Sequence, residues 1–160
     1  MDDRLVVDAS PLILLGRVEH LWLLEKMLRQ IVVPQSVCLE IAAGQRWDGS
    51  CVKRLAWTER HRTGDVPLPA SVDGWGLGAG ESQVVATALL HGGKALLDDR
   101  MGRRCAKAQG LSVIGTLGVV LLAKRRHLIP SARTLLEALR HQGLFLDDRL
   151  LEGVLVELGE

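Results

Sequence analysis

Asp8, Glu40, Glu81 and the adjacent pair Asp98–Asp99 are the residues in this chain best suited to chemistry. A single carboxylate is ordinary surface. Several brought together repel one another and stay ionised only when a cation or a proton compensates them. Hard divalent cations do this, because Mg²⁺ takes oxygen ligands and keeps several waters. Two such ions about 4 Å apart can activate a water and stabilise the leaving oxygen when a phosphodiester is cut. Softer metals find little support: His20, His61, His91, His127 and His141 show no HxxxH spacing and no pairing with cysteine. Each acid also has a plain reading. Asp8 can be a turn residue, Glu40 a solvated helix position, Glu81 a first-turn acid and Asp99 a helix cap.

The elements that must position these acids are short apolar strands alternating with helices. RLVV at 4–7 reads as a buried strand passing into a helix, with Ser10 able to cap it and Pro11 at its first position. Leu21, Leu24, Met27 and Leu28 fall at helical spacing. IVV at 31–33 is a second strand, and a helix follows from Ser36, carries Glu40, and can stop at Gly44. Residues 45–76 are irregular, with a short helix or strand around VKRLAWTER. LGAGESQVVATALLHGG then gives a glycine-rich entry, an amphipathic helix and a Gly92–Gly93 stop, and KALL follows as a strand. A helix over 100–109, the strand LSVI at 111–114 and a helix over 116–126 complete the alternation, which predicts an α/β fold with a parallel sheet. The tail, 131–141 and 147–158 joined around Gly143, predicts a helical hairpin.

In an open parallel sheet, functional residues gather beyond the carboxyl ends of the strands. Asp8 directly follows RLVV, and Asp98–Asp99 directly follow KALL. Glu81 opens the helix before KALL, and Glu40 lies in the helix after IVV, so both can lean toward the same rim. The near-repeat FLDDR at 145–149 has no such strand–helix frame, and its Asp147–Asp148 stands where acids stabilise a helix start. The first acidic pair therefore reads as functional and the second as structural.

Other features narrow the class. A chain of 160 residues with 48% hydrophobic and 24% charged residues fits one globular domain, 1–160, with the hairpin 131–158 packed on it. A net charge of +1 implies no global polyanion field, so contact with nucleic acid has to rest on a local patch. Arg100, Arg103, Arg104 and Lys107 recur at helical spacing after the acidic pair and supply one, with a solvated basic face as the plain alternative. Cys38, Cys51 and Cys105 are odd in number and lack CxxC spacing, which reads as reduced cytosolic thiols. The acidic N-terminus lacks the features of a secretory signal, and the apolar stretch 113–123 is far short of a bilayer span, so a cytoplasmic protein without membrane association is expected. GWGLGAGE does not complete GxGxxG after a strand, GxxxxGK[ST] is absent, and Asp8-Ala9-Ser10 lacks the second aspartate of a DxD phosphatase signature.

VVDASPLI, the VCLEIAAG helix, GAGESQVVATALLHGGKALLDDR and GLSVIGTLG together resemble the PIN-domain nucleases. The likeness is greatest to the small prokaryotic toxin members of toxin–antitoxin pairs, and it covers about residues 4–142. It implies a three-layer α/β/α fold around a central parallel sheet and Mg²⁺- or Mn²⁺-dependent endoribonuclease activity. It also implies a homodimer and an antitoxin protein that covers the acidic groove. The matching positions make Asp8, Glu40, Glu81 and Asp99 catalytic, with Ser10 supporting Asp8. Glu81 stands where many members have aspartate. Asp98, where a non-acidic polar residue is more usual, joins Asp8, Glu81 and Asp99 in the metal set. The apolar helices near 11–28 and the C-terminal hairpin are candidate partner surfaces. Two other readings stay open: a PIN-fold binding module that has lost efficient metal binding, and a phosphatase-like hydrolase with Asp8 as nucleophile.

Overall fold

The computed structural model describes residues 3–44 and 51–160, so Trp47 and Gly49 of the irregular stretch lie outside the described residues. In chain order the elements are β1 (Arg4–Val7), α1 (Ala9–Arg17), α2 (Trp22–Met27), β2 (Gln30–Pro34), α3 (Gln35–Ala43), α4 (Cys51–Arg60), β3 (Arg62–Thr63), α5 (Ala70–Asp73), α6 (Ala79–His91), β4 (Lys94–Leu96), α7 (Arg100–Ala108), β5 (Val113–Ile114), α8 (Thr116–Arg125), α9 (Ala132–His141) and α10 (Asp148–Glu157). The five strands form a parallel sheet in the order β3-β2-β1-β4-β5.

The central strand is apolar throughout because it is covered on both faces: Leu5, Val6 and Val7 are all buried. Leu5 pairs with Ile31 on one side and Lys94 on the other, and Val7 pairs with Leu96. This register carries the chain past the strand end in a fixed way. The Asp8 N–H donates to the Leu96 carbonyl at 3.1 Å, which sets Asp8 beside the turn holding Asp98 and Asp99. Helix α6 lies across β1, β2 and β4 and packs on α3 and α7, while α2 and α8 pack on each other and on β2 and β5. Helices thus cover the sheet in a three-layer α/β/α arrangement.

Several local expectations are corrected. Helix α6 is not amphipathic: every residue from Ser82 to Ala88 is buried, because sheet and helices enclose it. Its buried Gln83 amide is satisfied by the backbone of Val66, accepting from its N–H at 2.9 Å and donating to its carbonyl at 2.8 Å. Helix α1 begins at Ala9, so Asp8 takes the cap position and Ser10 lies inside the first turn. VKRLAWTER is helical, and its turn feeds the two-residue edge strand β3, too short to leave a period in the sequence. Only Val113 and Ile114 of LSVI pair as strand. Gly44 ends α3 with a φ of −85°, so no left-handed cap is involved there. Gly93 is different: its φ is +116°, and a Cβ would stand 2.7 Å from the Arg4 carbonyl oxygen. The three cysteines are free and buried. No helix among the described residues is long and apolar enough to cross a membrane.

The helical hairpin forms as the tail predicts, with Leu135, Leu136, Leu139, Leu151 and Leu155 buried in the same apolar cluster as the sheet. It is fastened by Glu160. That carboxylate accepts from the backbone N–H of Ala132 at 2.8 Å and of Arg133 at 3.0 Å, and meets Lys124 Nζ at 2.9 Å. The backbone donors of Arg133 and Ala132, followed by Lys124, pull its carboxyl down to about 2. A depressed carboxyl contributes stability above its ordinary value of 4.5 that is lost as pH falls through about 2. Glu160→Gln should therefore lower the melting temperature at pH 7, with the gap to wild type closing between pH 4.5 and 2. Thermal melts across that range check this, and a gap independent of pH contradicts it.

Candidate functional site

The rim beyond β1 and β4 gathers the predicted acids around two glycines. Beside Gly80, at the point where a Cβ would stand, Glu40 Oε2 lies 2.5 Å away and Asp8 Oδ1 3.6 Å away. Beside Gly102 the equivalent point is 3.7 Å from Asp99 Oδ2 and 3.8 Å from Glu81 Oε2. Thus the β1–α1 junction, α3, α6 and the β4–α7 turn bring these four carboxylates to the rim, and glycine on α6 leaves Glu40 its place, whereas a Cβ at Gly102 would make only ordinary contacts. At Gly80 a methyl group would collide with Glu40.

Asp8 is the most constrained of the set. It is 4% exposed, and its Oδ1 is buried without a hydrogen-bond partner. Burial pushes its carboxyl up to about 7, against a hydrogen bond from the Ala9 backbone, and the nearby Glu81, Glu40 and Asp98 add to the rise. Burial also raises Glu81, followed by Asp99 and Glu40. None of the five acids has an ion-pair partner among the described residues. Glu40 and Asp99 are exposed and Glu81 half-buried.

The two acidic pairs answer to different frames. Asp99 caps α7, accepting from the Gly102 N–H at 2.9 Å, and Asp98 stands one residue outside that helix. Both Asp98 oxygens are held by the buried Thr116, which donates from its N–H at 2.7 Å and from its hydroxyl at 2.6 Å. In the second pair Asp147 caps α10 through the Leu150 N–H at 2.7 Å, and Asp148 meets Arg140 at 2.8 Å. Capping alone does not separate the two copies. What separates them is the neighbourhood: Asp99 faces Glu81, whereas Asp148 faces a cation.

Thr116 was not among the residues the sequence singled out. The rule that selected Asp8 and Asp98 selects it too, since Gly115 and Thr116 directly follow β5. Gly115 leaves the space in which this turn is built: a Cβ would stand 2.6 Å from Arg103 Nη1 and 3.1 Å from Asp98 Oδ1. Of the basic residues, Arg100, Arg104 and Lys107 are exposed on α7. Arg103 is half-buried and donates to the Leu97 carbonyl at 3.0 Å, so its guanidinium is engaged within the turn. The Ser10 hydroxyl is exposed and makes no bond to Asp8.

A family model described as a PIN domain matches residues 4–160. The chain belongs to the PIN-domain family. No curated protein matches it. PIN domains are generally nucleases and typically use divalent metal ions, so this PIN domain has a nuclease fold that would bind nucleic acid. Its donor set fits a hard cation in kind: the acids of the rim offer only carboxylate oxygen, and the buried Asp8 Oδ1 lacks any partner. In position they form two facing pairs, and among the described residues no three histidines, cysteines or acids stand together as a ready ligand group.

A raised carboxyl has the opposite linkage to Glu160. The unfolded chain ionises Asp8 near 3.8 and the folded chain near 7, so stability falls as pH rises between those values. In chelator, Asp8→Asn should be more stable than wild type at pH 8, on the order of a few kcal/mol, with the advantage gone below about pH 4. Denaturant titrations at the two pH values measure it, and an advantage that persists in acid contradicts it.

Proposed function

We propose that this PIN domain is a Mg²⁺- or Mn²⁺-dependent endoribonuclease, the toxin half of a toxin–antitoxin pair, acting in the cytoplasm as a homodimer restrained by a cognate antitoxin protein. The observation that carries the catalytic part is the buried Asp8 carboxylate, its Oδ1 without a hydrogen-bond partner, facing Glu40 across Gly80 beside the Glu81–Asp99 pair. A buried acid with no cation beside it costs stability, and a site that keeps it is best explained by a cationic ligand. The RNA and toxin parts are supported by the resemblance of the ordered motifs to those of small prokaryotic PIN-domain toxins.

Asp8, Glu81 and Asp99 would hold the metal, and Asp99 would be oriented for this by its bond to the Gly102 N–H. When bound, a divalent cation supplies the positive charge that makes a water nucleophilic and stabilises the departing oxygen. Glu40, exposed and beside Asp8 at Gly80, would accept a proton from the attacking water. Asp98, with both oxygens on Thr116, is a positioning residue that fixes the turn carrying Asp99. Arg100, Arg104 and Lys107 would receive the phosphate backbone, with Arg103 holding the turn beneath them.

One observation favours a second reading, a PIN-fold binding module with weak metal affinity: the acids stand as two pairs, and Glu81 is a methylene longer than aspartate. Mn²⁺ titration separates the two, since saturable binding at the acidic rim excludes the module. Nothing favours the phosphatase-like alternative, since Asp8-Ala9-Ser10 lacks the second aspartate of a DxD signature.

Incubated with a pool of structured and single-stranded RNA, the purified protein should cut in Mg²⁺ or Mn²⁺ and not in EDTA. Asp8→Asn should lose at least about a hundredfold of that rate while remaining folded. Cutting that survives both chelator and substitution overturns the proposal.

A further inference from the structure

Helix α10 carries a face that nothing among the described residues covers. Leu150 and Val156 are exposed on it, and Phe145, just before the helix, is 92% exposed. A groove of about 460 Å³ runs along the helix, lined by Asp147, Arg149, Leu150, Gly153, Val154 and Glu157. Monomers rarely leave apolar side chains clustered in this way without an interaction to make.

Gly153 sits in the middle of that face. Glycine inside a helix is destabilising relative to alanine, so it needs a reason. Gly16, Gly80 and Gly118 have one: each has a neighbouring side-chain atom less than 3.0 Å from where its Cβ would stand. Gly153 has open space there. Nothing among the described residues occupies that space, which leaves room for the close approach of a second backbone.

The charges say which backbone. Arg149 precedes Gly153 by one helical turn and Glu157 follows it by one turn. Arg149 has no ion pair among the described residues, and Glu157 reaches only the exposed Arg125 at 4.0 Å. If α10 is laid antiparallel on a copy of itself with Gly153 at the crossing, each Arg149 comes level with Glu157 of the second copy, and each Leu150 with Val156. A surface complementary to itself under a two-fold rotation is what an isologous dimer needs. We propose that α10 joins two copies of this chain through such a contact. The inference rests on the homodimeric part of the proposed function and on none of its catalysis.

Sedimentation velocity over a concentration series tests it, with circular dichroism to verify that each variant is folded. Wild type should dimerise, and Arg149→Glu or Glu157→Arg alone should weaken association by about tenfold or more, since like charges then meet twice. An equimolar mixture of the two variants should regain dimers, because each reversed charge now faces its complement. Gly153→Ala should weaken association while raising the thermal stability of dilute protein. A wild type monomeric at every concentration overturns both this contact and the homodimer. Dimers indifferent to both charge reversals overturn this contact alone, and loss without recovery on mixing overturns the antiparallel pairing. RNA cleavage by the same preparations reports separately on the catalytic reading.

Discussion

Mutual repulsion among the carboxylates at the sheet rim is the constraint on which the rest of this structure depends. Asp8 is buried with an orphan oxygen, Glu81 and Glu40 raise its cost further, and none of the set has an ion-pair partner among the described residues. The fold must hold these groups close against a force that would spread them. It does so by fixing their backbones. Asp8 is locked through the β1–β4 register, Asp99 through its cap on α7, and Asp98 through two bonds from Thr116.

The β4–α7 turn shows how that is accomplished without an ion pair among the described residues. Asp98 gives both oxygens to Thr116, Arg103 holds the Leu97 carbonyl, and Gly115 leaves the space in which Arg103 and Asp98 both fit. A neutral hydroxyl and backbone N–H groups satisfy the carboxylate while leaving the net negative charge of the rim in place. An arginine in the role of Thr116 would neutralise what a cationic ligand requires. At the other end of the chain the logic is reversed: Glu160 and Asp148 meet Lys124 and Arg140, so those acids fasten the hairpin and carry no unbalanced charge.

The candidate site was legible because strand ends are legible. Asp8 and Asp98–Asp99 follow apolar runs that can only be buried strands, and the rule for parallel sheets then assigns them to one rim. Glu40 and Glu81 were legible only as helix positions able to lean that way, and singly each looked like a surface acid. Thr116 was passed over because a threonine opening a helix carries no mark of its partner; Asp98 lies eighteen residues earlier. Arg103 shared its helical spacing with Arg100, Arg104 and Lys107, and spacing does not reveal that its guanidinium turns back to Leu97.

The sequence by itself determined the alternation of strands and helices, the parallel sheet, the hairpin and the acids at the strand ends, because these follow from local hydrophobic period and from residues adjacent in the chain. Tertiary structure alone decided which acids face one another, that the buried Asp8 keeps one oxygen without a partner, that α6 is enclosed on nearly every side, and that β3 exists at all. Those outcomes depend on distances between segments far apart in sequence, and burial and electrostatic repulsion are properties of such distances.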